Sequence, residues 1–153
     1  MKITSPAFLP GDPIPERYTC DGQNKNPPLV FSDIPSSAQS LSLIMHDPDV
    51  PLSLRADGNF DHWILFNIDP TCHAISEGAV SPPGQSGNNT RGQAQYTGPC
   101  PPDKEHRYFF TLYALDCRLD LPQGVSRAEL EAAQKGHIVA QAFLLGTYQR
   151  KIN

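Results

Sequence analysis

Three places in the chain set imidazole, carboxylate and phenol groups at short spacing. His46-Asp47-Pro48-Asp49-Val50-Pro51 holds two carboxylates within three residues, bounded by prolines. Asp61-His62-Trp63 stands at the head of an apolar run, and His106-Arg107-Tyr108 follows the stiff loop Tyr96-Thr97-Gly98-Pro99-Cys100-Pro101-Pro102. Singly, each has a plain structural reading: Asp-Pro is common turn chemistry, and a lone histidine at a strand head is usually a hydrogen-bonded structural residue. Together they hold the groups of an anion site. Side chains alternate along a strand, so His106 and Tyr108 point to one face and Arg107 to the other. If that face also meets Asp47 and His62, the carboxylate fixes an imidazole in its tautomer or favours its charge. Protonated imidazoles and the Tyr108 hydroxyl are then donors to phosphate or carboxylate oxygens.

Two kinds of catalysis compete with binding. Cys100 near His106 and an Asp imitates a Cys-His-Asp hydrolase, but a cysteine between prolines has no visible source of thiolate activation. His62, His106 and Asp47 also offer ligands for metal-assisted chemistry. No cofactor and no resident metal are expected. The four cysteines, Cys20, Cys72, Cys100 and Cys117, show no CxxC spacing, which argues against a zinc ribbon. Free thiols are the default in a reducing cytosol; a Cys20–Cys100 bridge is the alternative, since both lie in loops.

These residues need strands to position them. Residues 27–35 give a short strand bounded by prolines, Ser40 to Met45 a buried strand that stops at His46-Asp47-Pro48, and His62 to Ile68 another. Arg107 to Leu115 is the strongest strand signal. Residues 81–95 are polar and glycine-rich and read as a long surface loop, a common carrier of function. Ser126 and Glu129 form a capping box ahead of a helix over Ala128 to Lys135, stopped by Gly136. His137 to Leu145 reads as a second short helix closed by Gly146, and Thr147-Tyr148-Gln149-Arg150 as a final strand. The sum is one domain over residues 1–153, mainly β, an antiparallel β-sandwich with short helices near the C-terminus.

Composition narrows the partners. The 153 residues carry 16 prolines, about twice the usual share, spread along the chain as a loop-rich β fold requires. The net charge is −4 and no Lys/Arg run occurs, which argues against nucleic acid and against charge-driven binding to an anionic membrane surface. No apolar run reaches the ~18–20 residues that span a bilayer. The N-terminus, Met1-Lys2-Ile3-Thr4-Ser5-Pro6, lacks the apolar core of a signal peptide, so the expected location is cytoplasmic, with a mature chain whose leader is missing as the alternative that the initiator Met disfavours.

The ordered motifs resemble the phosphatidylethanolamine-binding protein family, also called Raf kinase inhibitor-like proteins, and most of all its bacterial YbhB/YbcL branch. The matching residues are Tyr18-Thr19-Cys20-Asp21-Gly22 with Pro27-Pro28-Leu29; Asp47-Pro48-Asp49-Val50-Pro51; His62 and Asn67; Gly98-Pro99-Cys100-Pro101-Pro102 with His106-Arg107-Tyr108; and Gly136-His137 with Gly146-Thr147-Tyr148. They span nearly the whole length. The resemblance implies two antiparallel sheets with peripheral helices and a pocket for phosphate-type headgroups and simple anions. By motif position, ligand contacts fall on Asp47, His62, Gly98, Pro99, His106 and Tyr108, with Val50 and Pro51 on the rim and Asp49 in support. Cis X–Pro bonds near the proline loops, a regulatory role and a homodimer are further properties the resemblance suggests. Two departures stand out. The segment Gly87-Asn88-Asn89-Thr90-Arg91-Gly92 lacks the family's aromatic residue, and Arg91 reads as an exposed loop arginine, with an anion contact as the alternative. No segment for the C-terminal helix of larger eukaryotic members follows Thr147 to Arg150, so kinase regulation is not carried over. Inhibition of kinases or proteases through loop 81–95 remains a separate reading.

Overall fold

Apolar and β-branched runs cut short by proline and glycine favour strands that pair across the chain over helices that need long uninterrupted segments. The computed structural model describes residues 1–151. In chain order it holds β1 (Lys2–Thr4), a 3-10 turn (Glu16–Tyr18), β2 (Leu29–Ser32), β3 (Ser40–Asp47), β4 (Phe60–Ile68), β5 (Ala74–Ile75), β6 (Gln85–Ser86), β7 (His106–Leu115), α1 (Arg127–Gln134) and β8 (Ile138–Tyr148). A three-stranded sheet runs β1-β2-β5 and a five-stranded sheet runs β6-β4-β3-β7-β8. Every pair of named strands is antiparallel.

The five-stranded sheet is buried on both faces over its centre. Leu41, Leu43 and Met45 of β3 face the small sheet, with Trp63, Phe110, Leu112 and Leu144. Ile44 and Phe66 face the other way, onto Leu130 of α1 and Val125 just before it. β3 therefore reads as a continuous apolar run, whereas β7 alternates: His106, Tyr108, Phe110, Leu112 and Ala114 are buried and the residues between them more open. The Ser126 hydroxyl accepts from Glu129 N, and Ser126 N donates to the Glu129 carboxylate, completing the expected capping box.

Two expectations are corrected. His137 to Leu145 is not a second helix: β8 runs through it and continues to Tyr148, hydrogen-bonded along β7 from His106↔Tyr148 to Leu115↔Ile138. Ala140, Ala142 and Gly146 look helical or helix-ending by local preference, but their small side chains fit the inward face, where Gly146 lies opposite Tyr108 and against Ile14. Cross-strand pairing overrides local propensity here. Gly136, at φ 84°, ends α1 and turns the chain into β8. The cis X–Pro bonds are also absent: every peptide bond among the described residues is trans. No helix among those residues is long and apolar enough to cross a membrane.

Candidate functional site

His62 reaches the site because β4 carries a bulge. Met45 pairs with Trp63 and His46 with Asp61, so His62 is the extra residue between them. Such a bulge re-aims one side chain while the flanking residues keep their faces. Trp63 stays in the inter-sheet core, and Asp61 stays on the outer face with Arg127. His62 is 5% exposed. Its Nδ1 lies 2.7 Å from the Thr97 carbonyl, and Thr97 N donates back to the His62 carbonyl at 3.1 Å. A carbonyl only accepts, so Nδ1 carries the proton and Nε2 presents a lone pair. Burial pushes the His62 pKa down to about 4, so the imidazole is neutral near pH 7. The expectation of a protonated imidazole at this position is corrected.

Asp47 and His106 face each other across β3 and β7. His106 Nδ1 lies 2.7 Å from Asp47 Oδ2, and its Nε2 lies 2.7 Å from Asp103 Oδ1. Burial opposes the imidazolium, but hydrogen bonds to Asp47 and Asp103 outweigh it and raise the pKa. Burial likewise raises the Asp47 pKa, against the pull of His106 and of Asp49 N. His106 thus bridges two carboxylates, with both ring nitrogens engaged by the protein. The expected role of free donor to a ligand is corrected. Tyr108 lies beneath this pair, fully buried, its ring edge-on to His62. Its hydroxyl has no hydrogen-bond partner among the described residues.

The Gly/Pro loop packs against the 3-10 turn and the residues that follow it. Gly98 N donates to Asn24 Oδ1, Cys20 N donates to Pro99 O, and the Tyr96 hydroxyl donates to Tyr18 O. A Cβ on Gly98 would stand 2.2 Å from the Tyr18 carbonyl oxygen, so only glycine fits. Cys20 and Cys100 are joined by a disulfide with Cα atoms 5.4 Å apart, which corrects the expectation of free thiols. Cys72 and Cys117 are free.

The opposite wall comes from loop 81–95. The Asn89 side chain, buried, accepts from Arg91 N and Gln93 N and donates to Gln95 O. Thr90 is locked to β4 beside the bulge, its N donating to Asp61 O and its hydroxyl accepting from Asp61 N. This holds Thr90 and Arg91 against the cavity. Arg55 enters from the turn after Pro51, where Nε donates to Asn59 O at 2.7 Å and the guanidinium pairs with Asp57.

Between these walls lies a cavity of about 450 Å³, within the range of small-ligand sites. Its base holds Asp47, His62 and His106; Val50, Leu54 and Phe60 make one apolar side and Pro101 and Pro102 another. Arg55 and Arg91 are its cations, with Thr90, Thr97 and Gly98 beside them.

A family profile described as phosphatidylethanolamine-binding protein matches residues 4–149. The chain belongs to the phosphatidylethanolamine-binding protein family. It is 51% identical over 150 residues to a UPF0098 protein of Chlamydia pneumoniae, covering 98% of this chain and 99% of that one. The crystal structure of a phosphatidylethanolamine-binding protein homolog from Chlamydia trachomatis superposes with a TM-score of 0.95 at 48% identity, covering 98% and 97% of the two chains. YbcL of Escherichia coli, a member of the same family, gives a TM-score of 0.86 at 27% identity over 98% of each chain.

Of the residues named from the sequence, Asp47, Val50, His62, Gly98 and His106 line this one cavity. Four named residues stand behind it. Asp49 accepts from Arg107 N, Nε and NH2, clamping the 47–51 turn to β7. Pro51 caps the turn that carries Arg55, Pro99 accepts from Cys20 N, and Tyr108 is covered by the pocket base. Arg55 and Phe60 were not signalled by any motif, Thr90 was named only as part of the 87–92 segment, and Asp103 became legible only through its bond to His106. Arg91 was visible as a residue, but its lining position depends on the Asn89 and Thr90 bonds.

Proposed function

We propose that this protein binds a small ligand bearing a phosphate or carboxylate group, without a covalent step. The observation that carries the reading is the Arg91 guanidinium: it lines the cavity, and among the described residues no protein group accepts from it. The acidic group of the ligand sits at the Arg91 and Arg55 rim. The neutral His62 Nε2 and the Asp47 carboxylate, both acceptors, favour a hydroxyl, an ammonium or a protonated phosphate oxygen at the deeper end. Catalysis by Cys100 has little support, because its sulfur is held in the bridge to Cys20 and offers no thiolate.

Titration with inorganic phosphate and with O-phosphoethanolamine, followed through the His62 imidazole resonances, tests the reading. Shifts are expected with both ligands and larger affinity for phosphoethanolamine, whose ammonium meets the acceptors. Arg91→Ala should weaken binding about tenfold or more, the worth of one hydrogen bond to a charged group. An unmoved His62 at millimolar ligand overturns it.

A further inference from the structure

At the far end of β7 from the pocket, three side chains able to bind a metal converge. Asp116 and Cys117 follow the last residue of β7, and His137 precedes the first residue of β8. The Leu115↔Ile138 pair and the Asp116 N to His137 O hydrogen bond, 2.9 Å, fix the two backbones side by side. Cys117 is held by its own carbonyl, which accepts from the Ser40 hydroxyl. One ligand atom from each of Asp116, Cys117 and His137 lies within 4.8 Å of the others. Asp116 and His137 are in contact through Oδ1 and Nδ1 at 2.8 Å, with side chains about half exposed. An ion can therefore reach the group from solvent without opening the fold.

We infer that Asp116, Cys117 and His137 form a zinc site. One thiolate, one imidazole and one carboxylate make the borderline donor set that Zn2+ takes, with water as the fourth ligand of a tetrahedron. Calcium and magnesium prefer all-oxygen shells, and this cluster supplies one carboxylate. On binding, the ion replaces the contact between Asp116 and His137: Nδ1 gives its lone pair to the metal, the remaining imidazole proton sits on Nε2, and the Cys117 thiol proton passes to solvent. The ion ties the end of β7 to the start of β8 and so closes the excursion that carries α1. His106 and Asp116 are ten residues apart in an extended chain, roughly 30 Å, so this site is separate from the pocket.

The experiment uses the full chain with the Cys20–Cys100 bridge intact and no thiol reagent. Cobalt(II) is titrated first as a spectroscopic probe, then displaced by zinc. One equivalent should produce the d–d absorption of a tetrahedral ion together with a thiolate-to-cobalt charge-transfer band, both lost on adding zinc. Cys117→Ser should abolish the charge-transfer band, and His137→Ala should weaken cobalt about a hundredfold or more, since even second-layer partners are worth ten- to a hundredfold. Cys72→Ser should behave like the unaltered protein. Zinc should raise the thermal midpoint of the unaltered protein and leave that of Cys117→Ser in place. Absence of the charge-transfer band, or its survival in Cys117→Ser, overturns the site.

Discussion

A neutral imidazole lining the cavity changes what pH does to this protein. His62 has a folded pKa of about 4 against about 6.5 in the unfolded chain. Above pH 6.5 both states leave it neutral and it costs nothing. As pH falls below 6.5 the unfolded state takes up the proton and the folded state does not, so stability drops by about 1.4 kcal/mol per pH unit from this residue. His46, which burial and Arg127 also hold down to about 4, acts in the same direction. His106 has the opposite sign: its raised pKa stabilises fully below the unfolded value and is lost as pH rises through the folded one. Urea midpoints measured between pH 6.5 and 5 should fall on acidification, and His62→Gln, whose amide can still donate to Thr97 O, should flatten the slope. An unchanged slope in His62→Gln would assign the acid loss elsewhere. Ligand affinity, for its part, should show no inflection near pH 6.5 arising from His62.

At the scale of elements, the site depends on three devices: the bulge in β4, the Asp49–Arg107 clamp, and the Gly98 loop seated on the 3-10 turn. Gly98→Ala drives a methyl into the Tyr18 carbonyl, and backbone cannot yield as a flexible side chain can. The expected cost is about 1–3 kcal/mol, read as a lower denaturation midpoint, with a several-fold loss of phosphate affinity because the wall moves with the loop. A variant with normal stability and normal affinity would mean that the loop has room to shift. The Asp49–Arg107 pair is half exposed and contributes little to stability, about 1 kcal/mol or less; its use is to hold the Asp47 turn. β3, β4 and β7 were legible because burial on one or both faces writes itself into apolar runs and alternation. Of β8 only the end, Thr147-Tyr148, was legible as strand; the stretch before it was not, because Ala140, Ala142 and Gly146 on its inward face are small and its partner strand, rather than its own sequence, chooses the extended form. β6 was hidden in a polar loop because two residues of pairing leave no pattern.

For the whole molecule, the Cys20–Cys100 bridge spans 80 residues and joins the small-sheet side of the chain to the pocket wall. Reduction, or Cys20→Ser, should lower unfolding stability by about 2–5 kcal/mol, seen as a fall in the thermal midpoint on adding a reductant; a midpoint indifferent to reductant would show that the bridge carries no stability. The bridge also bears on location, because disulfides persist in oxidising surroundings, and the cytoplasmic expectation rested only on the N-terminal residues. Sequence alone determined the family, the antiparallel β architecture, and the three clusters from which the pocket is built, because motif order and burial patterns are local properties of the chain. Only the tertiary structure decided what those groups do. It paired His106 with Asp47 and Asp103, left His62 neutral with a lone pair facing the cavity, brought Arg55 and Arg91 to the rim, and closed the disulfide. Charge state and hydrogen-bond partner depend on burial and on neighbours far away in sequence, and no spacing of residues along the chain encodes them.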